Sequence, residues 1–106
     1  MLIYHIVLPE LWERVNGNTF YEAGSLAIEG FIHCSYEDQL ESVLGRYYAD
    51  AEEVVILTID TNRLTSPLVS EPSTNNEPYP HVYGPINLDA VIKAVTRPIG
   101  NVPLSS

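Results

Sequence analysis

The chain has 106 residues, 45% of them hydrophobic, which suffices for one compact domain with a buried core and is too short for two domains. Fourteen acidic residues against five basic ones give a formal charge of -9, which repels phosphate backbones and anionic membranes. The composition therefore disfavours a general DNA- or RNA-binding protein, and no run of eighteen apolar residues is present to span a bilayer.

The N-terminus and the single cysteine together indicate a cytoplasmic protein. Residues 1–10 are apolar but contain no basic n-region and no cleavage-like site, so we interpret them as a first strand rather than a signal peptide. Cys34 cannot form an intramolecular disulfide, which agrees with a reducing compartment. We expect a single domain over residues 1–106, with an irregular tail over residues 99–106.

The first third of the chain predicts short elements separated by glycines. Residues 2–8 are rich in β-branched and aromatic side chains, which is typical of a strand. Pro9 fits the first turn of a short helix that Gly17 ends. One helical turn over residues 26–29 and a short strand over residues 31–34 are expected to follow.

The rest of the chain contains the clearest periodic patterns. Apolar residues at i, i+3, i+4 and i+7 predict an amphipathic helix over residues 40–47. Residues 54–60 form a long apolar run, which indicates a strand buried on both faces. Residues 68–71 and 89–97 favour further strands, and residues 72–80 are loop by composition. These elements predict a small α+β domain, with strands divided between two ends and helices packed beside them.

All three histidines lie in or beside predicted strands, among apolar or aromatic neighbours where a ring needs a hydrogen-bond partner. His5 fits two readings: a strand histidine bonded to a backbone carbonyl, or an imidazole that binds a ligand. His33 and Ser35 share one face of a strand, so a ring nitrogen and a hydroxyl can reach one ligand. Ser35 also fits a helix N-cap. We expect Cys34 to point the other way, into the core.

A second polar group follows in the last third of the chain. His81 and Tyr83 share one face of a short extended segment between Pro80 and Pro85, which we expect at the edge of a sheet. This pair suits either ligand binding or a packed aromatic corner. Glu71 ends a predicted strand, and alone it would be a solvated charge.

Metal binding and nucleophilic hydrolysis find little support in the spacing. Catalytic zinc sites often use three histidines, but no pair here has the H-x-H or H-x-x-x-H spacing of a local ligand pair. No nucleophile-elbow pattern is present. We therefore expect no bound metal.

Several segments resemble a known family. IYHI, Trp12, SLAIEGFIHCSYEDQ, LVSE and PHVYGP resemble the small proteins grouped as domain of unknown function 952, from Ile3 to about Val95. The family name carries no chemistry. A more distant resemblance does, because a strand with histidine, a helix with Trp12, a glycine-ended turn and a strand with His-x-Ser are similar to the opening half of the RNA 2′-phosphotransferases. Those enzymes belong to the ADP-ribosyltransferase superfamily.

This resemblance implies two split, strongly bent antiparallel sheets with flanking helices that hold NAD in a cleft. The implied catalytic residues are His33 and, near the last catalytic position, Glu71 or else His81 with Tyr83. The implied contacts to the dinucleotide come from His5, His33, Ser35 and Tyr83. Residues 23–36 contain no lysine or arginine, which removes the clamp for an RNA 2′-phosphate. Ile6 and Val7 stand where the RNA 2′-phosphotransferases have two small residues after the first-strand histidine. Their larger side chains would make the nicotinamide pocket narrower.

Two readings of function from different classes remain open. The first is an enzyme that transfers ADP-ribose from NAD to a small molecule or a protein. The second is a non-catalytic module that binds a nucleotide or a related metabolite. A metal-dependent enzyme that uses the three histidines ranks third, behind these two. A carboxylate in the cleft near His5 and His33 would favour the enzyme, and a cleft lined only by histidine and tyrosine would favour the binding module.

Overall fold

The computed structural model describes residues 1–15 and 17–99, so the predicted irregular tail lies almost entirely outside the described residues. The strands are β1 (Leu2–Val7), β2 (Phe20–Tyr21), β3 (Ile32–His33), β4 (Glu53–Asp60), β5 (Leu68–Pro72), β6 (Pro78–Val82), β7 (Ile86–Asn87) and β8 (Val91–Pro98). The helices are α1 (Pro9–Glu13), α2 (Gly24–Glu29) and α3 (Leu40–Tyr47). The expected small α+β domain is confirmed, with several antiparallel sheets and few helices.

The largest sheet has the order β1-β4-β8, and both pairs of strands are antiparallel. Its middle strand is the apolar run that the sequence predicts to be buried on both faces. Val55, Leu57 and Ile59 pack in the larger core cluster, whereas Val54 and Ile56 pack in a smaller one against α3. The alternation of a strand places these two sets of side chains on opposite faces, so β4 is covered on both.

A second antiparallel sheet has the order β3-β6-β5. An isolated bridge between Tyr4 and Ser35 connects it to the first sheet. Ser35 and Tyr4 exchange backbone hydrogen bonds of 2.7 and 2.8 Å, which fixes the end of β3 against β1. The N-cap prediction for Ser35 is wrong, because Tyr36 precedes the next turn and its N–H donates to Gln39 Oε1 at 2.9 Å. The remaining sheet is the short pair β2-β7.

The segment around His81 differs from its prediction as an edge. It belongs to β6, the middle strand of its sheet, where His81 pairs with His33 on one side and with Val69 on the other. Pro80 is tolerated inside this strand because β3 has ended at His33, and the Pro80 carbonyl still accepts a 3.0 Å hydrogen bond from Cys34 N–H. The predicted loop is consequently shorter, since β6 begins at Pro78.

Candidate functional site

A cavity of about 580 Å³ lies where the two larger sheets meet α2 and α3. Its polar lining residues include His5, Tyr21, Ser25, Glu29, His33 and Ser35. The lining also contains apolar and aromatic residues, among them Leu8, Leu11, Val43, Tyr47 and Tyr48. The structure thus brings together three residues that the sequence predicts as ligand contacts: His5, His33 and Ser35. The lining therefore combines aromatic side chains with a hydrogen-bonded group around His5, Tyr21, Glu29 and His33, which we call the polar end.

His5 holds Tyr21 at the polar end of the cavity. His5 Nδ1 lies 2.7 Å from the His33 carbonyl, which can only accept, so Nδ1 carries the proton. His5 Nε2, 2.8 Å from Tyr21 Oη, is then the acceptor of the phenol proton. Burial lowers the pKa of His5 to about 4, so the ring is neutral at physiological pH. Both readings of His5 are compatible, since it bonds a backbone carbonyl and also lines the cavity.

The Tyr21 hydroxyl is the functional group that the sequence analysis missed at this end. Burial, the main cause, raises the pKa of Tyr21 well above its usual value, so the phenol stays protonated. Because its proton points at His5, its oxygen lone pairs remain free to accept a hydrogen bond from a ligand. No local sequence pattern joins the two residues, which are sixteen positions apart.

A second missed residue, Glu29, places a carboxylate in the cavity lining. His33 Nε2 donates to Glu29 Oε2 at 3.0 Å, and the two side chains are 49% and 47% exposed. Glu29 ends α2, and Gly30 turns the chain into β3 with a left-handed φ of 88°. The four-residue spacing of Glu29 and His33 was a signal that could have identified the pair. Their exposure leaves both groups accessible to a ligand.

Ser25 and Cys34, two further small side chains in the lining, have simpler roles. Ser25 Oγ donates to the Phe31 carbonyl at 2.9 Å, which fastens the start of α2 to the residue before β3. Cys34 is buried, and burial raises the pKa of its thiol well above its usual value. The thiol therefore remains protonated, as expected of a small core residue rather than a nucleophile.

The other predicted residues form a separate hydrogen-bonded group. Glu71 Oε1 lies 2.8 Å from His81 Nδ1 and accepts a 2.6 Å hydrogen bond from the Tyr83 hydroxyl. Hydrogen bonds from Tyr83 and then His81 hold the pKa of Glu71 below its usual range, and the carboxylate in turn raises the pKa of Tyr83. None of the three belongs to the described lining of the cavity. Phe31 stacks on the His81 ring with centroids 4.1 Å apart.

The two groups are nevertheless neighbours. The His33 and His81 rings pack edge to face with centroids 5.3 Å apart, on directly paired residues of β3 and β6. His33 thus stands between the cavity and the Glu71–His81–Tyr83 group. Within residues 1–15 and 17–99, no group of three or more histidine, cysteine, aspartate or glutamate residues is arranged to hold a metal ion.

The charge around the cavity is uneven. The described residues that line it include the carboxylate of Glu29 and neither lysine nor arginine. Arg46 lies beside the lining, where its side chain hydrogen-bonds Tyr79 and its Cζ is 5.7 Å from the Tyr47 ring centroid.

Among the described helices, none is long and apolar enough to cross a membrane.

Comparison with known proteins places the chain in a family. The family described as protein of unknown function, DUF952, matches residues 6–94. No curated protein matches. The fold resembles that of protein CC0527 from Caulobacter crescentus: its crystal structure has a TM-score of 0.82 at 24% identity, and its solution NMR structure 0.76 at 24%. The crystal match covers 91% of this chain and 85% of CC0527, and the NMR match covers 89% and 82%. The chain belongs to the DUF952 family.

Proposed function

We propose that the protein binds NAD in the cavity and transfers ADP-ribose to a small-molecule or protein acceptor. One observation carries this proposal: the Glu29 carboxylate lies in the same cavity lining as His5 and His33. A carboxylate beside two imidazoles is the feature that separates an enzyme of this kind from a passive binding module. The fold supports the proposal at a coarser level, since it consists of antiparallel sheets that meet at a cleft.

The size of the cavity and its mix of hydrogen-bonding and aromatic side chains suit a nucleotide. Its volume of about 580 Å³ lies within the range of roughly 300–1,000 Å³ that is usual for small-molecule sites. The polar end can bind ribose hydroxyls and an amide, whereas Tyr47 and Tyr48 offer aromatic surface to a base. We assign the phosphates to Arg46, a basic side chain that neighbours the lining residues Tyr47 and Tyr79.

The chemistry requires stabilisation of a sugar cation. When the bond between ribose and nicotinamide breaks, positive charge develops on the ribose, and a nearby carboxylate lowers the energy of that state. Glu29 supplies the negative charge, and before the substrate binds His33 fixes its orientation through the 3.0 Å hydrogen bond. The Tyr21 oxygen accepts from the nicotinamide amide or a ribose hydroxyl, because His5 holds the phenol proton on the other side. The predicted catalytic roles of Glu71 and His81 and the predicted Tyr83 contact remain part of the proposal.

A non-catalytic nucleotide- or metabolite-binding module is the second candidate. The observation that favours it is the position of Glu71, whose carboxylate is engaged by Tyr83 and His81 and is not part of the described cavity lining. In that case Glu29 would serve only to orient His33. The two candidates differ in turnover and agree on binding.

The deciding experiment is an NMR titration of the ¹⁵N-labelled protein with NAD, followed by chromatography for free nicotinamide. We expect shifts at His5, Tyr21 and His33 and release of nicotinamide. Glu29→Gln should keep binding and lose release, whereas Glu22→Gln, an exposed residue outside the described lining with the same change of charge, should behave as wild type. Shifts without nicotinamide would leave the binding module, and no shifts at about millimolar NAD would reject both for this ligand.

A further inference from the structure

His81 carries an atom that the fold leaves without a partner. The side chain is only 4% exposed, and its Nε2 is buried with no hydrogen-bond partner among the described residues. A buried polar atom without a partner costs free energy, and such atoms are rare in folded proteins. The middle strand of a sheet could accommodate an apolar side chain here at no such cost. The imidazole at this position therefore points to a chemical role.

Glu71 determines the state of this ring. A carboxylate can only accept hydrogen bonds, so the proton of the neutral ring lies on Nδ1 and the lone pair lies on Nε2. Tyr83 donates to the same carboxylate oxygen, and both hydrogen bonds favour the ionised form of Glu71. A carboxylate that orients an imidazole with a free second nitrogen is the arrangement by which proteins prepare a histidine to accept a proton.

His81 lies next to a residue of the cavity lining. β6 runs between β3 and β5, and the Nδ1 bond is made to Glu71 on β5. Nε2 is the ring nitrogen that does not meet Glu71, and His81 itself is outside the described lining. On the β3 side, the His33 ring packs against His81 with centroids 5.3 Å apart and forms part of the lining. For a hydroxyl in the cavity to approach Nε2, the half-exposed His33 side chain has to turn, and it then loses its hydrogen bond to Glu29.

We propose that His81 is the general base that activates the acceptor hydroxyl, with Glu71 and Tyr83 as positioning residues. This inference rests on the proposed function. In the step, the acceptor O–H gives its proton to His81 Nε2 and its oxygen forms a bond to ribose C1′. The bond between C1′ and the nicotinamide nitrogen breaks, and its electron pair neutralises the positive ring. The two carboxylate–histidine pairs then have different roles. Glu29 stabilises the positive charge on the sugar, and Glu71 orients the general base, His81.

The test uses NAD as donor, with water and methanol as acceptor probes. His81→Gln should bind NAD with unchanged shifts at His5 and Tyr21, keep its KM for NAD, and lose about 10²- to 10⁴-fold in kcat, the usual contribution of a general base. Glu71→Gln keeps both hydrogen bonds through its amide oxygen but lacks the charge. It should lower kcat while leaving the KM for NAD unchanged. Ser70→Ala, an exposed neighbour on β5, is the control.

The outcomes separate this inference from the proposed function. An unchanged kcat in His81→Gln or in Glu71→Gln would overturn the role of His81 and leave NAD cleavage standing. If wild type binds NAD but transfers to neither probe, the general base is rejected and the binding module remains. If wild type does not bind NAD, the proposed function is rejected, and the role of His81 is rejected with it. Should His81→Gln not fold, Glu71→Gln alone decides, because its hydrogen-bonding geometry is preserved.

Discussion

Acid should destabilise the fold through His5 in a predictable way. Burial lowers the pKa of His5 from 6.5 to about 4. Between these two pH values the ring is therefore protonated in the unfolded chain and neutral in the native protein. The stabilisation is fully present above pH 6.5 and is lost as the pH falls toward 4. A shift of about 2.5 units at 1.36 kcal/mol per unit corresponds to roughly 3 kcal/mol of unfolding free energy.

The assay is urea denaturation at a series of pH values from 7 to 4, on wild type and His5→Asn. The asparagine amide can replace Nδ1 as a donor to the His33 carbonyl, but it does not titrate. Glu41 and Glu71, whose pKa values are lowered by their hydrogen bonds, titrate in both chains and cancel in the difference. The stability advantage of wild type should therefore shrink by about 3 kcal/mol between pH 7 and pH 4.

A constant difference between the two chains over this range would refute the reasoning. It would mean that His5 is protonated as easily in the native state as in the unfolded one. The ring could then not be a neutral acceptor for the Tyr21 hydroxyl, and the hydrogen-bonded arrangement at the polar end of the cavity would have to be abandoned.

Three further predictions concern the fold. Tyr21→Phe should lower the unfolding free energy in urea by about 1–3 kcal/mol, because the buried imidazole acceptor loses its donor; an unchanged value would show that this bond is not formed. Leu57→Ala, at a fully buried position of β4, should cost about 2–5 kcal/mol in the same assay, and a smaller loss would contradict the packing. Gly84→Ala should lower the melting temperature, since φ is 151° and a Cβ would collide with Ser66 Oγ. Gly45→Ala, in a helix with open space around it, should raise it, and equal effects would count against the turn geometry.

The local elements could be predicted because their signals lie within a few residues. The apolar run of β4 and the helical period of α3 each show directly which side chains of the segment face the core. The position of β6 could not be predicted, since Pro80 indicates an edge strand by composition. Only the early end of β3 explains why a proline is accepted at that place.

The site was predictable to a similar extent. The period of two along a strand predicted one shared face for His33 and Ser35, and both line the cavity, although Cys34 between them lines it too. The same period grouped His81 with Tyr83, and both hydrogen-bond Glu71. The Tyr21 contact with His5 joins β2 to β1, which belong to different sheets, and no short pattern encodes such a contact. Glu29 was within reach of sequence reasoning, but the helix-ending glycine between it and His33 hid the four-residue spacing.

The most direct test of the central claim is the release of nicotinamide from NAD by wild type and by Glu29→Gln, measured alongside NMR-detected binding. The proposed function predicts that both proteins bind NAD, with shifts at His5, Tyr21 and His33, and that only wild type releases nicotinamide. Equal release by the two proteins would show that Glu29 does not stabilise the sugar cation. Absence of NAD binding by wild type would contradict the claim entirely.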